Sequence, residues 1–336
     1  MVEGSGQCFV SRGRQPMRKF SIFAALAVMA ATSSVFAVTI RDDRADTSYR
    51  NLGASYGSVG QFVGSGVENG STINYSASGV LIAPEWVLTA GHVADSTTTS
   101  LTFKINGTNV SASAWYANSN WTGNLGTGYD ISLVKLSTTI SGPVATLYSG
   151  TGEIGKVGTY VGYGMTGTGS TGYTVFDQQK RGAQNMVDAF LSGSGSRILM
   201  SDFDNINKKH QKRDNAMGGA SPLDLEGLIA PGDSGGGMFI TENGRTYLAG
   251  INSWGSSRDG NTNSDYGDYS GVTRVSSHIG WINGILDGYA SSAANGTFYA
   301  GSGGNFTALR VPIIPEPATL GVLGLGGLVL LARRRR

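Results

Sequence analysis

The sequence predicts an all-β fold, and three observations carry that expectation. First, 52 of the 336 residues are glycine and only 14% are charged. With abundant Ser, Thr, Val and Tyr, such a chain suits strands joined by many tight turns and is poor material for long helices. Second, short strand-like runs recur from about residue 56 to 275, among them "SGVLIAPEWVLTA", "SLTFKING", "DISLVKL", "VGTYVGYG" and "RTYLAGINSWG". Gly, Asn, Ser and Thr turns separate them, a spacing that fits a β-barrel or a sandwich. Third, one stretch alone has a clear helical period, with Val275, Ile279, Ile282 and Ile285 or Leu286 on one face. No internal repeat is visible.

The two ends read as addresses rather than fold. Residues 17–37, "MRKFSIFAALAVMAATSSVFA", begin with Arg18 and Lys19, run apolar from Phe20 to Ala31, and offer Val35 and Ala37 as small residues before a cut. This is the pattern of a secretory signal peptide, and residues 1–16 read as a mis-called extension ahead of Met17. The one cysteine, Cys8, lies in that extension, so no intrachain disulfide holds the domain. Residues 38–287 are the expected domain. Residues 288–314 contain "SSAANGTFYAGSGGNFTALR" and read as a flexible linker. The chain closes with Pro315-Glu316-Pro317, an uncharged run from Ala318 to Ala332, and four arginines. A run this short is marginal for a bilayer, which needs about 17–25 residues, and its arginine flank would stay cytoplasmic.

Charge excludes one class of partner. The formal net charge is +2, and Arg333 to Arg336 exceed it, so the domain itself is close to neutral. A nucleic-acid-binding role is not indicated. Residues 178–222 break the strand rhythm and contain "NINKKHQKRDN", a polar, basic stretch around His210 that reads as a solvated surface loop. Asp202 and Asp204, in "SDFDN", read the same way, because two acids are too few for the six to eight oxygens that calcium takes. No metal and no cofactor is expected.

The chemistry gathers in "APGDSGGGMF", residues 230–239. Three consecutive glycines are costly in backbone entropy and pack nothing, so they point to a backbone that must approach something closely. Ser234 stands just before them. A serine nucleophile needs a neutral imidazole to take its proton, and the imidazole needs a carboxylate to fix its tautomer. The chain has three histidines: His92, His210 and His278. His210 and His278 read as surface residues, the latter on the polar side of the final helix.

"GDSGG" also satisfies the G-x-S-x-G elbow of the α/β-hydrolases, and Asp265 or Asp268 followed by His278 would supply the order of an esterase. Two features oppose that reading. "GGGMFITENGR" is a poor helix start, and the βα alternation of a parallel sheet is missing.

"GVLIAPEWVLTAGHV", "YDISLVKL", "PGDSGGG", "GINSWGSS" and "GVTRVSSHIGWI", in that order, closely resemble segments of the trypsin/chymotrypsin-like serine proteases. The resemblance implies two antiparallel β-barrels, about residues 45–140 and 145–275, with the site in the cleft between them and a C-terminal helix at about 276–287. It implies a serine endopeptidase acting on protein or peptide, with His92 as general base, Asp130 as its orienting acid and Ser234 as nucleophile. The amides of Gly232 and Ser234 would form the oxyanion hole. Ser253, Trp254 and Gly255 would pair with substrate backbone. The floor of the specificity pocket would fall at Leu228, beside Ile229 and Ala230, which disfavours Lys or Arg before the cut; Glu226 lies near enough in sequence to alter that register. All the elements of the site are present, which weighs against a non-catalytic surface adhesin on the same fold.

Asp233 would be the activation partner of a new N-terminal ammonium, yet no Ile-Val-Gly-Gly-like start precedes "YGSVGQF". Either signal peptidase exposes Val38, which inserts without any zymogen, or Arg41 or Arg44 supplies the positive charge or marks a later cut. The tail resembles the PEP-CTERM sorting signal of Gram-negative bacteria. That resemblance implies an exosortase-like processing enzyme as partner, membrane contact through residues 318–332 before processing, and export to the cell envelope or beyond.

Overall fold

The computed structural model describes residues 38–207, 209–210, 214–218, 221–287 and 297–299. The expected signal peptide, the PEP-CTERM-like tail and most of the linker lie outside these residues. Among the described residues no helix is long and apolar enough to cross a membrane.

The described chain opens with β1 (Thr39–Ile40) and α1 (Asp46–Ala54). This helix is not anticipated by the sequence, whose period there is weak. It is held from outside: Arg181 donates to both oxygens of Asp46, at 2.5 and 3.1 Å. A Cβ on Gly53 would meet the Arg181 backbone at 2.6 Å, so only glycine lets α1 lie flat on that strand.

Six strands then form a closed barrel: β2 (Val59–Glu68), β3 (Ser71–Ala83), β4 (Trp86–Thr89), β5 (Thr98–Ile105), β6 (Thr108–Ala117) and β7 (Ser132–Leu136). The order is β6-β5-β2-β3-β4-β7, and β6 pairs with β7 to close the ring. Asn69-Gly70 and Asn106-Gly107 turn the β2–β3 and β5–β6 hairpins, all four residues at positive φ of 49–79°. That is the geometry of a two-residue hairpin turn whose twist matches the strands. Phe62 and Phe103 meet inside with ring centroids 4.9 Å apart, both fully buried. Burial of each stabilises the fold by about 1.5–3 kcal/mol.

The second lobe comprises β8 (Val157–Gly162), β11 (Arg181–Met186), β12 (Ala189–Phe190), β13 (Ile198–Asp202), β15 (Gly237–Glu242), β16 (Arg245–Ser256) and β17 (Tyr269–Arg274). Its order is β11-β8-β15-β16-β17-β13-β12. The expected two-lobed all-β fold is present, with the first lobe a closed barrel and the second, whose end strands do not pair, a half-barrel. Side chains bridge the open seam instead. Asn185 Nδ2 donates to Asp202 O (2.7 Å) and Gly227 O (3.0 Å). Ser201 Oγ lies 2.6 Å from Tyr160 Oη and donates to Met186 O. A correction concerns residues 178–222, where the sequence suggests a break in the strands. Three strands run there; in "RGAQNM" Asn185 bridges the seam and Arg181 pairs with Asp46 and Asp177, while Ala183 packs in a small core with Val38, Ile40 and Tyr49.

A small sheet, β10 (Gly172–Val175), β9 (Thr166–Thr168), β1 and β14 (Gly227–Leu228), joins the chain start to the segment before Ser234. A short 3-10 turn, Val275–His278, leads into α2 (Ile279–Leu286). Val275, Ile282, Ile285 and Leu286 are fully buried in the hydrophobic core that the first barrel shares with β8, β15 and β16, which gives the predicted helical face its partner. Within the expected linker, β18 (Thr297–Tyr299) pairs antiparallel with β6.

Candidate active site

His92 sits in a 3-10 turn, Gly91–Val93, just after β4. Asp130 immediately precedes Ile131 and β7, so pairing of β4 with β7 brings the two residues together. Asp130 Oδ1 accepts the His92 backbone N–H at 2.8 Å, and its Oδ2 lies 2.8 Å from His92 Nδ1. Ser253 Oγ donates to the same Oδ2 at 2.5 Å. The carboxylate is fully buried, while the imidazole is 33% exposed toward the cleft. Such an acceptor holds the hydrogen on Nδ1 and leaves Nε2 free to take a proton.

Ser234 faces the same cleft, of about 550 Å³, whose lining includes His92, Gly232, Ser234 and Ser253. Among the described residues the Ser234 hydroxyl makes no hydrogen bond, and the amides of Gly232 and Ser234 donate none. Their carbonyls are occupied. Ser78 N donates to Ser234 O (2.8 Å), and Ser78 Oγ donates to Gly232 O (2.9 Å). With the carbonyls tied back to β3, two N–H groups are left open. Gly235 adopts φ of +81°, and a Cβ there would run into Thr89 Oγ1 and Ser78 O. That close approach to the first barrel is what the glycine run permits.

His92 is raised above the ordinary histidine range. Burial of the ring opposes its charging, but the Asp130 carboxylate, the hydrogen bond to it and the charge of Asp95 together outweigh that opposition. Asp95 was not legible as a site residue. It accepts Trp121 Nε1 (3.1 Å), Thr97 N (2.8 Å) and Thr97 Oγ1 (2.7 Å), and Trp121 packs near the His92 ring at 6.5 Å. Activity that needs neutral His92 must be lost as pH falls through its pKa. Asp95→Asn removes a charge that favours the protonated ring, so the acid limb of kcat/KM moves to lower pH. A pH profile of the two proteins checks this; an unmoved limb would remove Asp95 from the account.

The remaining expected site residues fall as follows. Leu228 is 1% exposed, with Ile229 and Ala230 also buried. It pairs with Thr39, whose Oγ1 donates to Ser264 O at 2.6 Å. Leu228, Trp254 and Gly255 do not line the cleft that holds Ser234. Trp254 lies opposite Gly271 on β17, with its ring over that glycine. Glu226 is buried, takes the Leu223 amide on Oε2 at 2.7 Å, and its backbone carbonyl accepts Tyr49 Oη.

Asp233 is fully buried and accepts Ala230 N (3.0 Å) and Gly164 N (3.3 Å). Burial, only partly offset by those amides and by the charge of Arg181, pushes its carboxyl up to about 8. Neither Arg41 nor Arg44 is its partner. Both pair with Asp43, and Arg44 also with Asp224. Val38 is fully buried at the head of β1.

Two surface expectations are corrected. His278 is 3% exposed; its Nε2 lies 2.8 Å from Gly128 O, and burial pushes its pKa down to about 4. Asp202 and Asp204 are 3% and 7% exposed rather than solvated. His210 is exposed, as expected. Nor does an α/β-hydrolase elbow exist: Ser234 leads into strand β15, not a helix.

A closed β-barrel and a half-barrel flanking one cleft are the architecture of the two-lobed serine endopeptidases. The chain belongs to the trypsin family, whose model, Trypsin, matches residues 59–282. The PEP-CTERM protein-sorting motif matches residues 314–336. No curated protein matches the chain by sequence. Among solved structures, HL collagenase is similar with a TM-score of 0.50 and 18% identity, over 70% of this chain and 95% of that one. Neuropsin, a serine protease expressed in the limbic system of mouse brain, is similar with a TM-score of 0.51 and 16% identity, over 71% and 98%. At such identities the likeness speaks to fold.

Proposed function

We propose that this serine endopeptidase works through His92, Asp130 and Ser234, and that it is exported by a signal peptide and sorted by its PEP-CTERM tail. The observation that carries the first part is the buried Asp130 carboxylate, bonded to both the backbone and Nδ1 of His92 on the cleft that Ser234 enters. Ser234 Oγ attacks the peptide carbonyl carbon and passes its proton to His92 Nε2. The carbonyl oxygen gains negative charge and takes the open amides of Gly232 and Ser234. Charge of this kind exists only near the transition state, and each such donor contributes about 10²–10³ in rate. The imidazolium then protonates the leaving amine, the C–N bond breaks, and an acyl-enzyme remains. Water, deprotonated by His92, releases the acid and restores Ser234. Ser253 holds Asp130 from behind. No cofactor is needed.

The floor of the specificity pocket is assigned to Leu228 by resemblance alone, since Leu228 is buried and does not line the cleft of Ser234; an apolar floor would favour an apolar or small residue before the cut, because a buried Lys or Arg would find no counter-charge in Leu228. A fluorophosphonate probe tests the nucleophile. The wild-type domain is expected to be labelled and Ser234→Ala not, and hydrolysis of a peptide panel is expected to be faster after Ala, Val or Leu than after Arg. Absence of labelling in a protein with a verified mature N-terminus would leave the fold as a binding scaffold. Fast cleavage after Arg would refute the placement of Leu228.

A further inference from the structure

Asp130 lies in the chain of the first barrel, but the second lobe holds it. In the segment that delivers it, residues 127–131, all five carbonyls are engaged. Tyr129 O accepts Ile131 N (2.8 Å) and Ile131 O accepts Asn118 N (3.0 Å), both local bonds. The other three accept side chains from far along the chain: Thr127 O from Arg197 Nε (3.0 Å), Gly128 O from His278 Nε2 (2.8 Å), and Asp130 O from Thr273 Oγ1 (2.9 Å). Arg197 stands just ahead of β13, Thr273 is on β17, and His278 ends the 3-10 turn Val275–His278. Ser253 of β16 adds a fourth hold, on the carboxylate itself.

These contacts are packed as well as bonded. The Arg197 guanidinium stands over the Tyr129 ring at 4.5 Å, and Tyr129 meets the His278 ring edge-on at 5.8 Å. Gly128 adopts φ of +74°, and a Cβ there would run into Arg197. Thr273 is fully buried and His278 is 3% exposed. A carbonyl only accepts, so the ring hydrogen of His278 sits on Nε2. A buried carbonyl that loses its donor stays unpaired unless the backbone shifts. Such a shift would reach the acid directly, because the bond from Ile131 N to Tyr129 O closes a three-residue turn centred on Asp130. The acid has little room to move: its two oxygens meet His92 N and Nδ1, each at 2.8 Å.

We infer that His278 and Thr273 are positioning residues for the reaction, acting through Asp130 by fixing its backbone so that both carboxylate oxygens meet His92. That role presupposes, as proposed above, that Asp130 orients His92. The second lobe then supplies Ser234 and also sets the acid of the first barrel, so the three groups come into register only when the lobes are docked. Histidine suits the task. Burial, opposed by the Gly128 bond and helped by the charge of Arg197, pushes the His278 pKa down to about 4. Wherever His92 is neutral enough to act as a base, His278 is neutral too, and its one N–H stays on the Gly128 carbonyl.

The test is steady-state kinetics of the exported chain on the peptide it cleaves fastest, with a thermal melt of every variant. His278→Leu removes the donor at similar volume and is expected to lower kcat about 10–100-fold with KM within about threefold. His278→Gln, whose carboxamide nitrogen reaches the place of Nε2, is expected to bring kcat back to within about threefold of wild type. Thr273→Val, which replaces one hydroxyl by a methyl, is expected to lower kcat about 3–30-fold. Phe103→Leu, in the hydrophobic core and outside the lining of the cleft, controls for lost packing: it should melt lower and keep wild-type kcat. The His92 Nδ1 proton, followed by NMR, reads the triad itself. Its resonance is expected to move in His278→Leu and Thr273→Val and to hold in Phe103→Leu. Wild-type kcat in both His278→Leu and Thr273→Val overturns the inference. So does a His278→Gln variant as slow as His278→Leu, which marks packing rather than the hydrogen bond. Should His278→Leu not fold, Thr273→Val decides: an unchanged kcat and an unmoved resonance overturn it. Asp130→Asn in the same assay tells two failures apart. If it keeps wild-type kcat, the orienting role of Asp130 fails and the positioning role with it. If it is slow while His278→Leu and Thr273→Val are fast, the positioning role fails alone.

Discussion

Asp130→Asn is expected to lower kcat by about 10⁴-fold while KM changes little, a size typical of the Ser-His-Asp arrangement. The reason is local. The Asp130 carboxylate accepts three hydrogen bonds, from the His92 backbone, His92 Nδ1 and Ser253 Oγ, and it donates none. An amide NH₂ in place of one oxygen must confront one of those donors. If it faces Nδ1, the ring hydrogen moves to Nε2, where the base has to be empty. The acid limb should also move to lower pH, because the charge that favours imidazolium is gone. Single-turnover kinetics and a thermal melt separate this from misfolding. A variant that melts normally and retains more than about a tenth of wild-type kcat would remove Asp130 from its orienting role.

The second large effect concerns the chain start. A protein beginning at Val38 is expected to react with a fluorophosphonate about 10²–10³-fold faster than one that retains residues ahead of Val38. Asp233 is buried with two amide donors and, among the described residues, no ion pair, beside a backbone that must keep Gly232 and Ser234 open. A buried carboxylate lacking its partner costs about 3–5 kcal/mol, and every 1.36 kcal/mol is tenfold in rate. Val38 is our candidate for the source of that charge. Val38 is fully buried, and Thr39 pairs with Leu228 only five residues ahead of Asp233. A free α-ammonium has a pKa of about 7.7–8.0, so activity should also fall at high pH as that proton is lost. N-terminal sequencing of the exported protein, with rates for both forms, checks the idea. Equal rates would sink it.

Much of the fold was legible because it is written locally. Asn-Gly pairs turn three hairpins, the third at Asn243-Gly244 with φ of 51° and 73°, and alternating apolar residues mark the strands between them. The α2 face was legible for the same reason: Val275, Ile282, Ile285 and Leu286 recur at helical spacing and do pack together. The open seam of the second lobe was not, because it depends on Asn185 and Ser201 reaching across from distant strands. Helix α1 escaped notice because Arg181, 135 residues from Asp46, holds it.

The candidate site divides along the same line. The sequence by itself determined which residue types were available and in what order: His92, Asp130 and Ser234 in strand-and-turn contexts, with glycines where the backbone must close up. Tertiary structure alone decided what surrounds them. Ser78 binds the carbonyls of Gly232 and Ser234, Asp95 adds charge beside His92, and Asp202, Asp204 and Glu226 are buried rather than solvated. None of these carries a local signal, because a serine in a strand or an aspartate in a polar stretch takes its role from whatever the fold packs against it. Burial is a property of neighbours far apart along the chain, and only the packed molecule brings those neighbours within reach.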